Sequence, residues 1–487
     1  MARLARPLVI PSVGAKRRSR GTAKYQPVPI VARATTVIIG VVISFLLEAA
    51  LCARFEASTG PAMTAAFLAL GLGRRTVSRT LRTTLIAIVT LPLVAIVGAA
   101  FSILAHTAPI AGAALYVAAI AFAVWSRGLG EGWARLGEIV AFPLLAVLVV
   151  PAAAHAPSGA LVDLGLIIAA GVIPYAVVTV VTAIALRLHV VQADHHVPRT
   201  ASERSREISM RMAVQVAVAL SAAFAIGMLV FPQHVGWVVL TAFIVSGATR
   251  GREDAVYRAL ARVVGAIAGT VGAAIAQHVL PPDASLSWIV IVLCLFAGTA
   301  LRELNYAYWA AAFTLVLAML QRFGEGFSFA LLGVRIEAIV AGAICGVLAA
   351  CFIMPIPTKM VARRLVADAL SALADLFASG ESPRERQHEM RVVEHRIRAL
   401  DHVGPALAFH RRLPTVNDDD HASEWIGILR STLPHVRTLA TADGSLSEER
   451  RVAIERAVQL SRRALGKGSE PVGEALRRLK ASVGASR

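Results

Sequence analysis

The stretch "TRGREDAVYRALARVVGAIAGTVGAAIA" (249–276) crowds Arg250, Arg252, Arg258 and Arg262 against a glycine-rich apolar run carrying Gly265, Gly269 and Gly272. In a helix, Arg258 and Arg262 stand four apart on one face. Like charges at that spacing repel by a few tenths of a kcal/mol, so something anionic should offset them. Gly265 and Gly269 continue the same face as a close-packing surface for another span, and Gly272 extends it. Two readings follow. The arginines are anchoring charges and the glycines are packing, or the arginines form a vestibule that collects an organic anion. A matching cluster at Arg74, Arg75, Arg79 and Arg82 favours the second. Arg258, Arg262 and Arg82 are therefore candidate anion-binding residues.

Other candidates come from interrupted segments. The apolar runs 61–73 and 237–248 are too short to cross a bilayer as simple helices. They stand at corresponding places in the two halves of the chain, a pattern that in transporters points to the binding site. A second pair is the segment around Phe142-Pro143 and Pro151, and the segment from Asn305 to Thr314. Trp237, Asn305, Tyr306 and Trp309 could there hold an aromatic ring and a carboxylate. Glu48, Asp163, Arg335 and Glu337 are ionisable residues within apolar runs, where charge is costly and suggests function. Glu48, Asp163 and Glu337 are proton-coupling candidates, although all fall toward the outer ends, where snorkelling would also explain them. Arg335 and Glu337 are two apart and cannot face each other on a helix.

These residues need a frame, and composition supplies it. Of the 487 residues, 56% are hydrophobic and only 16% charged, against about 25% charged in a soluble domain. Mean hydropathy is +0.66. About twelve apolar runs of near-spanning length are expected, several of them short. A basic N-terminal tail precedes the first run, and every second loop thereafter is basic, through Arg127, Arg135, Arg187, Arg250 and Arg302 to Lys359 and Arg363. The rule that positive loops stay inside places both termini in the cytoplasm. The net charge of +18 then reflects inside loops. Since no recognition motif accompanies it, no nucleic-acid partner is expected.

The two halves repeat. Residues 60–82 align with 236–258 without a gap, matching Gly71 with Gly247 and Arg82 with Arg258. Arg33 plays the part of Arg211. Each half has an even number of spans, so the copies share one orientation. The expected fold is all-α and polytopic, a parallel 6+6 repeat with a C-terminal cytoplasmic helical domain. The boundaries are 1–32 for the tail, 33–186 for the first repeat, 187–210 for a linker, 211–355 for the second repeat and 356–487 for the helical domain. In that domain Leu365, Ala369, Leu370, Leu373, Leu376 and Phe377 form one apolar face, and "SPRE" (382–385) and "SLSE" (445–448) read as helix starts. Cys52, Cys294, Cys345 and Cys351 lack metal-ligand spacing, and His195-His196 has no third ligand nearby. No nucleophile elbow or phosphate-binding loop is present. Neither an enzyme nor a cofactor or metal is expected.

Three segments resemble the fusaric acid resistance (FUSC) and aromatic acid exporter family of bacterial inner-membrane proteins. "RALARVVGAIAGTVGAAIA" (258–276) looks like the family's Arg-x-x-Gly-Thr-x-x-Gly helix start. "LNYAYWAAAFTLVLAML" (304–320) looks like its Asn-Tyr-aromatic span, and "RIEAIVAGAICGVLAACFIMP" (335–355) like its closing helix. The match is clearest over 211–355 and weaker over 33–186. The resemblance implies a multi-pass inner-membrane exporter of aromatic or other organic acids, often working with a periplasmic adaptor. The expected partners are thus the lipid bilayer, a small organic anion and that adaptor, with a homo-oligomer left open. Rival readings are another transporter fold, an anion channel, and a non-transporting scaffold whose C-terminal domain binds a partner.

Overall fold

A computed structural model describes residues 27–73, 107–130, 160–191, 203–247, 250–279, 284–302, 304–321, 329–378, 383–412, 421–441, 447–467 and 470–484. It also describes isolated residues between 91 and 104 and between 132 and 144. The regular elements among them are helices: α1 (Pro27–Arg54), α2 (Gly60–Gly73), α3 (Pro109–Trp125), α4 (Ala160–Arg187), α5 (Glu203–Val230), α6 (Val235–Ser246), α7 (Arg252–Val279), α8 (Ala284–Leu301), α9 (Tyr306–Gln321) and α10 (Phe329–Phe352). The rest are α11 (Thr358–Ala378), α12 (Pro383–Leu400), α13 (Gly404–His410), α14 (Ala422–Thr441), α15 (Glu448–Lys467) and α16 (Val472–Gly484). Six of the first ten are long and apolar enough to cross a membrane, and α2, α6, α8 and α9 are shorter apolar helices. The protein is an all-α, multi-pass membrane protein. The expected third and fifth spans lie mostly outside the described residues.

Packing repeats between the halves. α1, α2 and α4 pack on one another, and α5, α6 and α10 do the same. α1 also packs on α8, and α5 on α3. Each half's first helix therefore meets the other half's fourth, which is the exchange a twofold relation between parallel copies produces.

The helix α7 shows how sequence selects a neighbour. Glu253 and Asp254 sit in its first turn, where the helix dipole favours negative charge. Leu260, Val264, Ile267, Val271 and Ile275 are exposed along one side, the side a bilayer would cover. The small residues lie opposite. A side chain on Gly265 would meet the Ala307 carbonyl at 2.6 Å, one on Gly269 the Ala311 carbonyl at 2.3 Å, and one on Gly272 Leu315 at 3.0 Å. Glycine there lets the backbones of α7 and α9 touch. Gly342 and Gly346 do the same for α10 against α6, with a Cβ at Gly342 falling 2.2 Å from the Val238 carbonyl.

Helices α11 to α16 close around a separate core. Trp425, Leu370, Leu373, Leu400, Leu429 and Leu476 are fully enclosed in it. Ala369, Leu370, Leu373, Leu376 and Phe377 of the expected apolar face are buried there, with Leu365 packed at the edge. α12 starts at Pro383, as "SPRE" predicts, whereas α15 starts at Glu448. Ser447 supplies the first carbonyl of α15, to Arg451, so that helix begins later than a cap at Ser445 would set it. "SLS" offers two serines and the nearer one is used.

Candidate functional site

The two halves of the membrane region meet at a cluster of rings and guanidinium groups. Arg262 lies ten residues beyond Arg252 in α7, about 15 Å along the helix. It is fully buried. Its Nε and Nη2 have no hydrogen-bond partner, and among the described residues no carboxylate pairs with it. Its guanidinium faces the Phe313 ring at 6.0 Å, and the Tyr306 phenol is within electrostatic reach. Arg335, near the start of α10 and 2% exposed, stacks on Trp237 at 4.5 Å. It is close enough to Arg262 for the two charges to repel.

Aromatic residues wall this pair of cations. Trp309 stacks on Phe313 with centroids 5.6 Å apart and planes 22° off parallel, and Phe67 of α2 approaches Phe313 at 6.4 Å. The surrounding apolar cluster draws Val37, Val41 and Leu70 from the first half and Leu240 and Leu317 from the second. Thr241 of α6 and Thr314 of α9 are fully buried, with hydroxyls that bond to nothing in the structure. Two short helices begin beside the cluster: α9 at Tyr306, within electrostatic reach of Arg262, and α6 at Val235, whose Trp237 covers Arg335. Their N-termini carry the positive end of the helix dipole. In transporters, half-helix N-termini aimed at a substrate hold its carboxylate.

The remaining sequence candidates are placed as follows. Arg258 pairs with Asp254 at 3.0 Å, and Asp254 also accepts the Arg250 N–H at 2.8 Å. The anionic offset for Arg258 is thus supplied within α7 itself, whereas no carboxylate among the described residues pairs with Arg262. Asn305 caps α9: its Oδ1 accepts the Ala307 N–H at 2.9 Å and the Tyr257 O–H at 3.1 Å. Arg82, with Arg74, Arg75 and Arg79, lies outside the described residues. Glu48 is fully buried in α1 with neither oxygen hydrogen-bonded, one turn before Cys52. Asp163 is half-buried in the first turn of α4, and Glu337 is on the exposed side of α10. Among the described residues no group of histidine, cysteine and carboxylate side chains could hold a metal ion.

Sequence reasoning did not assign Arg335, Phe313, Phe67 or Tyr257 to the site. Phe313 follows Trp309 by four and Tyr306 by seven, so helical spacing could have found it. Arg335 was visible as a costly intramembrane charge, but not its stacking on a tryptophan from another helix.

No curated protein matches the chain. Residues 216–349, which run from α5 to α10 and hold Arg262, Arg335, Trp237 and Phe313, match the family model described as fusaric acid resistance protein-like. That stretch of the chain is similar to the FUSC family.

Proposed function

We propose that this protein is a gradient-driven exporter of small organic anions, aromatic carboxylates foremost, in a bacterial inner membrane. The observation that carries the reading is the buried pair Arg262 and Arg335 inside an aromatic wall. Desolvating a guanidinium costs several kcal/mol. A fold keeps that cost when an anion that comes and goes supplies the compensation. A carboxylate matches the guanidinium fork, and Trp237, Trp309 and Phe313 supply the ring faces against which an aromatic acid would stack. The family match supports a membrane transporter or exporter.

In this scheme the inside loops are basic, both termini are cytoplasmic, and 356–487 is a cytoplasmic domain behind two six-span repeats, 33–186 and 211–355. Arg82 and Arg258 draw anions to the inner mouth, and Arg262 with Arg335 binds the carboxylate. Asn305, Tyr306 and Trp309 build the ring pocket at the head of α9. Glu48 supports proton coupling most directly, because its carboxyl group is enclosed within a span with neither oxygen hydrogen-bonded, where an ionisable group is costly and suggests function. Asp163 and Glu337 remain weaker candidates for the same role. The partners in this reading are the bilayer, the anion, a periplasmic adaptor and a second copy of the chain.

The test is efflux of benzoate, hydroxybenzoates and fusaric acid from cells carrying the wild type, Arg262→Gln or empty vector, with and without an uncoupler. Wild-type efflux that Arg262→Gln loses at equal membrane abundance supports the site, and uncoupler sensitivity supports proton drive. Conductance without gradient dependence would favour a channel. No efflux above vector would overturn the reading and favour a scaffold.

A further inference from the structure

The C-terminal domain touches the membrane region next to the head of α9. Phe409 on α13 packs its ring against Tyr257 on α7, with centroids 6.0 Å apart and planes at 51°. The Tyr257 hydroxyl donates to Asn305 Oδ1 at 3.1 Å. The same oxygen accepts the Ala307 N–H at 2.9 Å, so one side chain both caps α9 and holds Tyr257. The next residue, Tyr306, lies within electrostatic reach of Arg262. One turn further, Trp309 stacks on Phe313.

A second clasp fixes the domain to the start of α7. Gly251 turns the chain with φ near +127°. The Arg252 N–H then donates to the Ile356 carbonyl at 2.9 Å, and the Thr358 N–H to Glu253 Oε2 at 2.8 Å. That clasp anchors α11 whatever happens at α13. Phe409 is therefore a separate contact, and it leads inward through Tyr257 to Asn305. A helix N-terminus leaves its first N–H groups unbonded unless a side chain caps them. Whatever tightens or loosens the cap at Asn305 shifts the first turn of α9, and with it Tyr306 and Trp309.

We infer that Phe409 and Tyr257 are positioning residues for the anion site, through which the C-terminal domain sets how firmly the head of α9, and hence the bound anion, is held. The inference rests on the anion-site reading for its ligand and on geometry alone for its linkage. The two are separable by measuring both in the full-length protein in lipid nanodiscs. Hydrogen exchange at the amides of 306–310 reports the linkage, and benzoate affinity reports the ligand. Phe409→Ala and Tyr257→Phe should each speed exchange there about fivefold, the scale of one hydrogen bond. The double variant should go no further than either single, since both lie on one line. Benzoate Kd should rise by a similar factor in each, while Arg437→Ala elsewhere in the domain moves neither quantity.

Unchanged exchange in both singles would overturn the linkage. Faster exchange with an unchanged benzoate Kd would overturn the positioning role. A wild type that binds no benzoate, with exchange still responding as stated, would sink the aromatic-carboxylate reading while upholding the link between domain and helix.

Discussion

Arginine does opposite work in the two regions of this molecule. In the C-terminal domain a set of surface arginines finds carboxylates. Arg398 and Arg437 both reach Glu394, Arg430 reaches Asp401, and Arg478 bridges Glu470 and Glu474. In the membrane region Arg262 and Arg335 are enclosed and face aromatic rings. Water makes the first arrangement cheap and nearly worthless, because exposed pairs contribute about 0–1 kcal/mol. Hydrocarbon makes the second expensive. A charge kept where it is costly implies a use, whereas a charge kept where it costs nothing implies only solubility and orientation.

The most direct way to break this comparison is to remove the expensive charge. Arg262→Met should weaken binding of an aromatic carboxylate by about thirtyfold or more, because losing one side of a buried charge pair costs at least about 2 kcal/mol. The same variant should not lower the unfolding temperature in the absence of anion, since an apolar side chain of similar length replaces a buried cation. Affinity by calorimetry and melting by tryptophan fluorescence check the two halves. A variant that loses stability and binding together would make Arg262 a structural strut, and the contrast with the surface arginines would collapse.

Glycine sharpens the same comparison with smaller effects of opposite sign. At Gly269 a Cβ would lie 2.3 Å from a backbone oxygen of α9. Gly269→Ala should therefore force the helices apart and cost about 1–3 kcal/mol, read as a lower melting temperature of the membrane region. At Gly427 in α14 a Cβ would meet nothing within 4 Å. Gly427→Ala should stabilise by up to about 1 kcal/mol, since alanine loses less backbone freedom on forming the helix. Equal effects at both positions would mean that α7 and α9 are not in backbone contact.

How much of this was legible in the sequence depended on whether partners lie close in the chain. The short segments 61–73 and 237–248 correspond to α2 and α6, because lack of apolar length is a local property. The glycines of α7 were visible through their spacing for the same reason. Asp254 stands four residues before Arg258 and was equally readable as its partner, yet the arginine cluster drew attention from it. Arg335 on Trp237 and Tyr257 on Asn305 join different helices, and no local pattern encodes such a meeting. Glu48, by contrast, was legible. Gly40, Ser44 and Glu48 stand four apart along α1 and all face inward, while Leu46 and Leu47 are exposed. Small and polar residues at helical spacing mark the packed face of an otherwise apolar helix.

The smallest effect tests the other side of the comparison. Glu394 on α12 takes Arg398 from its own helix at 2.8 Å and Arg437 from α14. Arg437 is more than half exposed, so its charge is well screened by water and salt. Removing it leaves Glu394 with Arg398 still beside it, not stranded in an apolar site. Arg437→Ala should therefore cost the C-terminal domain only about 0.2–1 kcal/mol. That cost should shrink further between about 0.05 and 0.5 M salt as the screening length shortens, checked by the melting difference from wild type at the two concentrations. A loss that stays the same in high salt would assign the contribution to packing of the arginine's aliphatic stem between α12 and α14. A loss of several kcal/mol would place this surface pair in the same class as the buried cations, and charge in the two regions would no longer obey different rules.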